Sequence, residues 1–360
     1  MVFPFSDDHD MIREAARGFL QDVYDSGKGP QSIYESGVGF DAAAWKVFAG
    51  ELGMAGIAIE EEHGGAGLGD LGRVVVMEEL GASLCSIPFS PTCTIAADMI
   101  SAFGTDEAKA QWLPKFANGE TIITYSDGHD ALTLNGQKLS GSVSGALYGA
   151  QADMVLMSLR SKAGIQLIGI TKGTGGFSAT LIETMDPTRS FSKLTLDNVN
   201  MDEVLILGEG NLSQFDAVVK TSFISLAAEC VGGAQRCLDM TVEYAGQRVQ
   251  FGRPIASFQA IKHRCADMFI QIEAARSAVY AAAMADEDDK VEAALIAKAY
   301  ASDAFFDVAG HAIQLHGGIG FTWEYPLHYF FKRARANRAV FGSSARDYAR
   351  LADTIFGDAA

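Results

Sequence analysis

Apolar residues recur three and four apart along the first 120 residues, shift to short alternating runs, and then return to helical spacing. The segment SDDHDMIREAARGFLQDVY places Ile12, Ala15, Phe19 and Val23 on one helical face, with Ser6 as N-cap and acids in the first turn. Asp41 is positioned to cap AAAWKVFAGELG, and Thr105 to cap TDEAKAQWLPKFANGE, which carries Asp106 and Glu107 in its first turn. From about residue 121 the texture changes. Two short runs flank Asn135-Gly136, a strong hairpin signal, and DMVLMSLR, GIQLIGITK, FSKLTLDNV and EVLILG follow between turn residues.

Helical periodicity resumes after residues 208–211. Leu226, Val231, Ala234, Leu238 and Val242 form one stripe, and Phe269, Ile272, Val279 and Ala283 a second. A third stretch, EAALIAKAYASDAFFDVAGHAIQLHGG, is stopped by Gly317-Gly318. The pattern predicts an α+β multi-domain chain: an N-terminal helical domain (1–120), a small middle β-sheet or barrel domain (121–208) and a C-terminal four-helix bundle (209–360).

Composition narrows the classes. With 48% hydrophobic and 20% charged residues over 360 positions, the chain can bury a sizeable core, and two or three domains are expected. A net charge of −17 argues against a nucleic-acid binder. Five cysteines without a CxxC pair suit a reducing compartment. MVFPFSDDHD lacks the basic flank and apolar stretch of a secretory leader, and no uninterrupted apolar run approaches the roughly 20 residues of a membrane span. A cytoplasmic protein without membrane partners is the expectation.

Most candidate motifs have ordinary structural readings. EEHGGAGLGDLG matches neither GxGxxG nor GxxxxGK[ST] and is read as a loop between helices. KGTGG at 172–176 is read as a β-turn. The seven histidines show no HExxH, and His311 and His316, five apart, do not share a helix face well, so no metal site is expected. Cys230 and Cys237 suit small apolar positions on an inner helix. Lys332, Arg333, Arg335 and Arg338 form a basic cluster, either a solvated face or a contact for an anionic ligand or acidic partner surface. Packing alone explains RVQFGRPIASFQAIKH and AIQLHGGIGFTWEYPLHYFFKRAR poorly. There Arg248 and Gln314 offer polar contacts, Gly317 and Gly318 permit close backbone approach, and the combination suits a pyrophosphate.

These two segments, together with ELGMAGIAIEEEHGGAGLG and VVVMEELGAS, resemble the acyl-CoA dehydrogenase family over essentially the whole chain. The resemblance implies FAD at a subunit interface and oxidation of the Cα–Cβ bond of an acyl-CoA to the 2-enoyl-CoA. A glutamate takes the α-proton while the flavin accepts the β-hydrogen as hydride. Arg248, Gln250 and Phe251 match the RxxFG-type motif that reaches a neighbouring subunit's FAD. Gln259 matches a glutamine of the same segment, and Gln314, Gly317 and Gly318 match the QxxGG turn against the pyrophosphate.

The family's base does not carry over, and no catalytic residue is assigned. The EGT-like turn corresponds to AVFGSSARD, with Gly342 or its neighbours in place of the carboxylate. The alternative position falls near Ser222, and the arginine that follows it becomes about Phe223; Glu229 is the nearest carboxylate on that helix, expected to be solvated or at an interface. Both flavin-ring loops of the middle domain are shortened or replaced. The resemblance therefore implies a subunit of a heteromeric, α2β2 dehydrogenase that donates FAD contacts to a catalytic partner. Related heteromers act on bulky acyl-CoAs such as steroid side chains, with an electron-transferring flavoprotein as acceptor. Two alternatives stay open: a self-sufficient homo-oligomer using Glu229 or Asp347, and a flavin-free scaffold.

Overall fold

The computed structural model describes residues 5–37, 39–162 and 164–357. The N-terminal reading begins on residues 1–4, which lie outside the described residues. The chain runs helices, strands, helices. First come α1 (Asp7–Val23), α2 (Pro30–Ser36), α3 (Ala42–Trp45), α4 (Gly69–Ser83), α5 (Ala97–Phe103) and α6 (Asp106–Ala117). Eight strands follow: β1 (Ile123–Ser126), β2 (Leu132–Asn135), β3 (Lys138–Leu147), β4 (Met154–Arg160), β5 (Ile165–Thr171), β6 (Phe177–Ile182), β7 (Phe191–Asn200) and β8 (Leu205–Gly210). Then come α7 (Leu212–Thr221) and α8 (Phe223–Gln247), the ribbon β9 (Val249–Gln250) and β10 (Arg253–Pro254), and α9 (Gln259–Ala283), α10 (Glu287–His316), α11 (Leu327–Asn337) and α12 (Ser344–Phe356). Capping follows the sequence signals. Asp41 accepts from the amides of Ala43 and Ala44 at 3.0 and 2.9 Å, Thr105 from that of Ala108 at 3.2 Å, and Ser6 begins α1.

The chain forms two compact units. One holds Ser36–Arg73 and Ser86–Ser222; the other holds the N-terminal residues through Glu35, Val74–Cys85 and the chain from Phe223 onward. In the first, two four-stranded sheets run in the orders β1-β4-β5-β8 and β2-β3-β7-β6, antiparallel except for the β1–β4 pair. Asn135 pairs with Lys138, so the tight loop is Gly136-Gln137, one residue beyond the expected Asn135-Gly136; Gly136 takes the positive φ of 62° that this turn demands. KGTGG joins β5 to β6 as expected. The glycine-rich stretch at 60–72 folds back on itself, and a Cβ on Gly65 would overlap the Ile59 carbonyl. That close packing leaves no anion cradle and fits the loop reading.

The second unit is helical and is organised by one crossing. α4 and α8 each carry a Glu-x-x-Gly: Glu78 to Gly81 and Glu229 to Gly232. A Cβ on Gly81 would overlap the Glu229 carbonyl, and one on Gly232 the Glu78 carbonyl, so the backbones touch reciprocally. Leu226, Val231, Ala234 and Leu238 are buried as expected, whereas Val242 is exposed. Leu212–Gln247 is long and apolar enough to cross a membrane by length and composition alone, but 72% of its apolar 18-residue stretch is buried inside the protein.

Two predicted faces are corrected. On α1 the buried positions are His9, Ala16 and Leu20, with Ala15 exposed, so the inward face is turned from the apolar count. Arg13 explains the turn, since it lies on that face and pairs with Glu78 at 3.0 Å and Glu79 at 3.4 Å. On α9, Ile272 and Val279 are buried, but Phe269 and its neighbour Ile270 are exposed.

The crossing gives a controlled comparison on one helix. Gly232→Ala, like Gly81→Ala, forces the helices apart and costs about 1–3 kcal/mol or more. Gly246→Ala, where the added Cβ meets nothing within 4 Å, gains up to about 1 kcal/mol from helix propensity. Urea unfolding of the three variants checks the opposite signs.

Candidate functional site

α8 hands the chain to a short ribbon. Its last turn is held by the Arg248 amide donating to the Tyr244 carbonyl at 2.8 Å, and the Ile255 amide donates back to the Arg248 carbonyl at 2.8 Å. Gln250 pairs with Arg253, leaving Phe251-Gly252 as a two-residue loop with φ of 53° and 77°. Positive φ suits Gly252 and is uncommon for phenylalanine. Phe251 is 91% exposed, its ring edge-on to Phe258 at 6.1 Å, and the Arg253 guanidinium covers the Phe258 ring at 4.1 Å. Gln250 donates its amide to the Val249 carbonyl at 2.8 Å. Gln259, exposed, opens α9.

The Gly317 turn closes α10. Gly317 has φ 63° and ψ −139°, a region left to glycine, and a Cβ on Gly317 or Gly318 would meet open space. Gln314 is exposed one turn earlier. Tyr244 brings the two segments to one end of the bundle: it donates to the His316 carbonyl at 3.3 Å and stacks on the His316 ring at 4.3 Å. His316 Nδ1 donates to the Ala312 carbonyl at 2.7 Å, which leaves Nε2 to accept from the Tyr325 hydroxyl at 3.0 Å. Burial holds the imidazole below its ordinary range, so His316 is neutral. An exposed guanidinium, a carboxamide and an open glycine turn suit the diphosphate of a dinucleotide such as FAD. Among the described residues, Arg248 has no ion pair that competes for it.

Neither position where the family resemblance implies a base carries an acid, and the phenylalanines beside them meet in space. Phe341, at φ 58°, stacks on Phe223 with centroids 5.5 Å apart and planes 21° apart. Ser222 spends its hydroxyl on the Val219 carbonyl at 2.6 Å. Beneath the stack, Lys298 Nζ donates to the Gly342 carbonyl at 2.7 Å and to Asp347 at 2.5 Å, both side chains fully buried. Glu229, expected to be solvated or at an interface, is instead buried and paired with Arg333 at 2.6 Å. Its carboxylate leaves α8 beside the backbone contact with α4, where water is excluded and only a buried guanidinium can satisfy it. Neither Glu229 nor Asp347 presents a carboxylate to a substrate.

The basic cluster disperses, contrary to both of its readings. Arg333 is the internal partner of Glu229, Lys332 lies over the Tyr34 and Trp323 rings, Arg338 pairs with Asp303 at 2.9 Å, and only Arg335 is a solvated residue. In the β unit, the stretch after β1 is tied to β4: Asp127, itself exposed, accepts from Ser158 and His129, and the Gly128 amide donates to Ser158 Oγ at 3.1 Å. Tyr148, at φ 53°, buries its hydroxyl beside Ser86 and the Thr188 carbonyl. Tyr244, Lys298 and Phe341 were not singled out from sequence, and His316 was weighed only as a metal ligand. A lysine amid the apolar run AALIAKAYAS was the one available signal. Cys230 and Cys237 are buried as expected, and all five cysteines are free. Glu60, Glu62 and His63 bring three ligand atoms within 4.8 Å on a surface loop, an arrangement common without an ion.

Family models described as the N-terminal and C-terminal domains of acyl-CoA dehydrogenase match residues 6–120 and 220–356. Acyl-CoA dehydrogenase IpdE2 of Mycobacterium tuberculosis is 36% identical over 319 residues, 88% of each chain. A chain of the ChsE4-ChsE5 complex from Mycobacterium tuberculosis superposes with a TM-score of 0.87 at 25% identity, covering 100% of both chains. A variant of the Tcur3481-Tcur3483 steroid ACAD superposes with a TM-score of 0.85 at 30% identity, covering 97% of this chain and 98% of the other.

The neutral His316 sets a pH dependence. Its folded-state pKa lies below the ordinary 6.5, so the unfolded chain takes up a proton that the native state refuses. The stability it contributes is complete above about pH 6.5 and is lost as the pH falls below that value. Urea midpoints from pH 7.5 to 5.5 should therefore fall more steeply for the wild type than for His316→Gln.

Proposed function

This chain belongs to the acyl-CoA dehydrogenase family, an FAD-dependent oxidoreductase type acting on acyl-CoA, and we propose that it serves there as the cofactor-donating subunit of a heteromer. The Phe223–Phe341 stack carries this reading. It fills the turn where the family's base is expected and the arginine position beside the alternative at Ser222, while Glu229 and Asp347 are each paired with a buried cation. Meanwhile Arg248, Gln314 and the Gly317 turn face outward with their donors uncommitted to ion pairs. Phe251 on the ribbon and Phe269 and Ile270 on α9 are large apolar side chains left exposed.

FAD supplies the redox chemistry when bound. In this reading Arg248 and the Gln314–Gly318 turn neutralise and orient its diphosphate, with Phe251 packing alongside, and the ring lies in a second subunit that also carries the base. The buried Tyr148 hydroxyl, held at Ser86 and the Thr188 carbonyl, supports the absence of a ring pocket here. Two relatives that are named as pairs, ChsE4-ChsE5 and Tcur3481-Tcur3483, support a two-component assembly, and the latter's description favours a steroid-derived acyl-CoA as substrate. An electron-transferring flavoprotein is the acceptor this role calls for.

Purified alone, the chain is expected to be colourless and inactive; with its partner, yellow and active. Arg248→Ala in this subunit should weaken FAD retention by the assembly about tenfold, read by flavin absorbance after dialysis. A yellow, active homomer of this chain alone would refute the reading. Glu229→Gln should cost about 3–5 kcal/mol of stability by stranding Arg333, while turnover per folded assembly stays unchanged. Activity normalised to folded protein separates the two effects.

A further inference from the structure

A second cluster, which does not depend on the cofactor reading, lies where the segment after α1 meets the start of α11. Tyr24, Glu35, Trp323, Glu324, Pro326 and Tyr329 line a cavity of about 350 Å³ there. Its wall is aromatic: the Tyr34 ring lies 4.7 Å from Tyr329 and 5.9 Å from Trp323, and Trp323 lies 6.2 Å from Tyr329. That wall already accommodates one ammonium group. Lys332 Nζ sits 4.4 Å from the Tyr34 centroid and 4.8 Å from that of Trp323.

Charge at this corner is unbalanced. Two carboxylates, Glu35 and Glu324, line the cavity, and neither belongs to an ion pair among the described residues. Glu35 accepts only from the Gln31 carboxamide at 2.7 Å, and Glu324 is held below the usual carboxylate range by its own backbone amide and then by the Thr322 hydroxyl. His328, packed against Trp323 and Tyr329, adds no charge: burial, then Lys332, push it down to about 4. Lys332 lies over the aromatic wall, and both carboxylates line the cavity itself.

The third feature is an orphan. Tyr329 is 2% exposed, and its hydroxyl has no hydrogen-bond partner among the described residues. Burial, then Glu35, keep the phenol protonated. A buried phenol without a partner is costly, and its oxygen can accept a bond from an N–H donor.

We propose that this cavity binds an organic cation bearing N–H groups, an alkylammonium or a guanidinium. The rings provide cation–π contacts, Glu35 and Glu324 the counter-charge, and Tyr329 the acceptor that a quaternary ammonium would leave unused. The group arrives either on a small free molecule or on a lysine or arginine of a partner subunit.

Trp323, 59% exposed, reports on the site directly, because the other two tryptophans, Trp45 and Trp112, are buried. The intact chain, alone and in its assembly, is titrated with methylguanidinium at sub-denaturing concentration, with methylurea as the neutral near-isostere and sodium chloride as the ionic-strength control. A saturable change in Trp323 emission is expected with methylguanidinium only, and tetramethylammonium should bind more weakly. The double variant Glu35→Gln, Glu324→Gln should weaken binding about tenfold and Tyr329→Phe about threefold, both keeping the fluorophore. Binding by the isolated chain that disappears in the assembly identifies a partner side chain as the source, and binding retained in both identifies a free cation. An equal response to methylurea, no saturation by methylguanidinium, or folded variants that bind as tightly as the wild type would overturn the proposal.

Discussion

The reciprocal contact between α4 and α8 constrains the rest of the helical unit. With Gly81 against the Glu229 backbone and Gly232 against that of Glu78, no room remains between the helices for side chains. Both glutamates leave the crossing sideways with buried side chains, and each is met by a cation. Arg13 answers Glu78 from α1, and Arg333 answers Glu229 from α11. One backbone approach thereby fixes how the first helix and a late helix dock. It also removes from chemistry the one acid on α8 near enough to be considered for it. A buried pair of this kind adds little stability over an apolar replacement, but losing one partner is expensive, so the four residues persist or change together.

What the sequence made legible was local. Caps at Ser6, Asp41 and Thr105, the 135–138 hairpin and the Gly317 stop depend on a few adjacent residues, and each formed where expected, within one residue. The failures share a cause. Periodicity assigns charged residues outward, whereas Arg13, Glu229, Lys298, Arg333 and Asp347 all point inward. Their partners lie 65, 104 and 49 residues away, a separation that no window of one helix can register. That AVFGSSARD holds no glutamate was legible, but the aromatic pair was not, because Phe223 and Phe341 meet only through the tertiary fold.

Two phenylalanines in left-handed backbone conformations mark the contrast within the unit. Phe341 is repaid internally, by its stack on Phe223 above the Lys298–Asp347 pair. Phe251 has almost no such compensation, since it is held only at the tip of a two-residue ribbon with one ring contact. Strained positions persist where the surroundings over-determine them, and at Phe251 those surroundings are largely missing from this chain.

The ribbon therefore bears on how much of the protein a cell can hold alone. Two residues per strand do not make a self-sustaining hairpin in water, and the exposed rings at Phe251 and Phe269 are of the kind that chaperones and proteases survey. A copy with this turn uncovered carries a sticky, easily nicked arm. The lifetime of the folded chain would then be limited by a single uncovered turn.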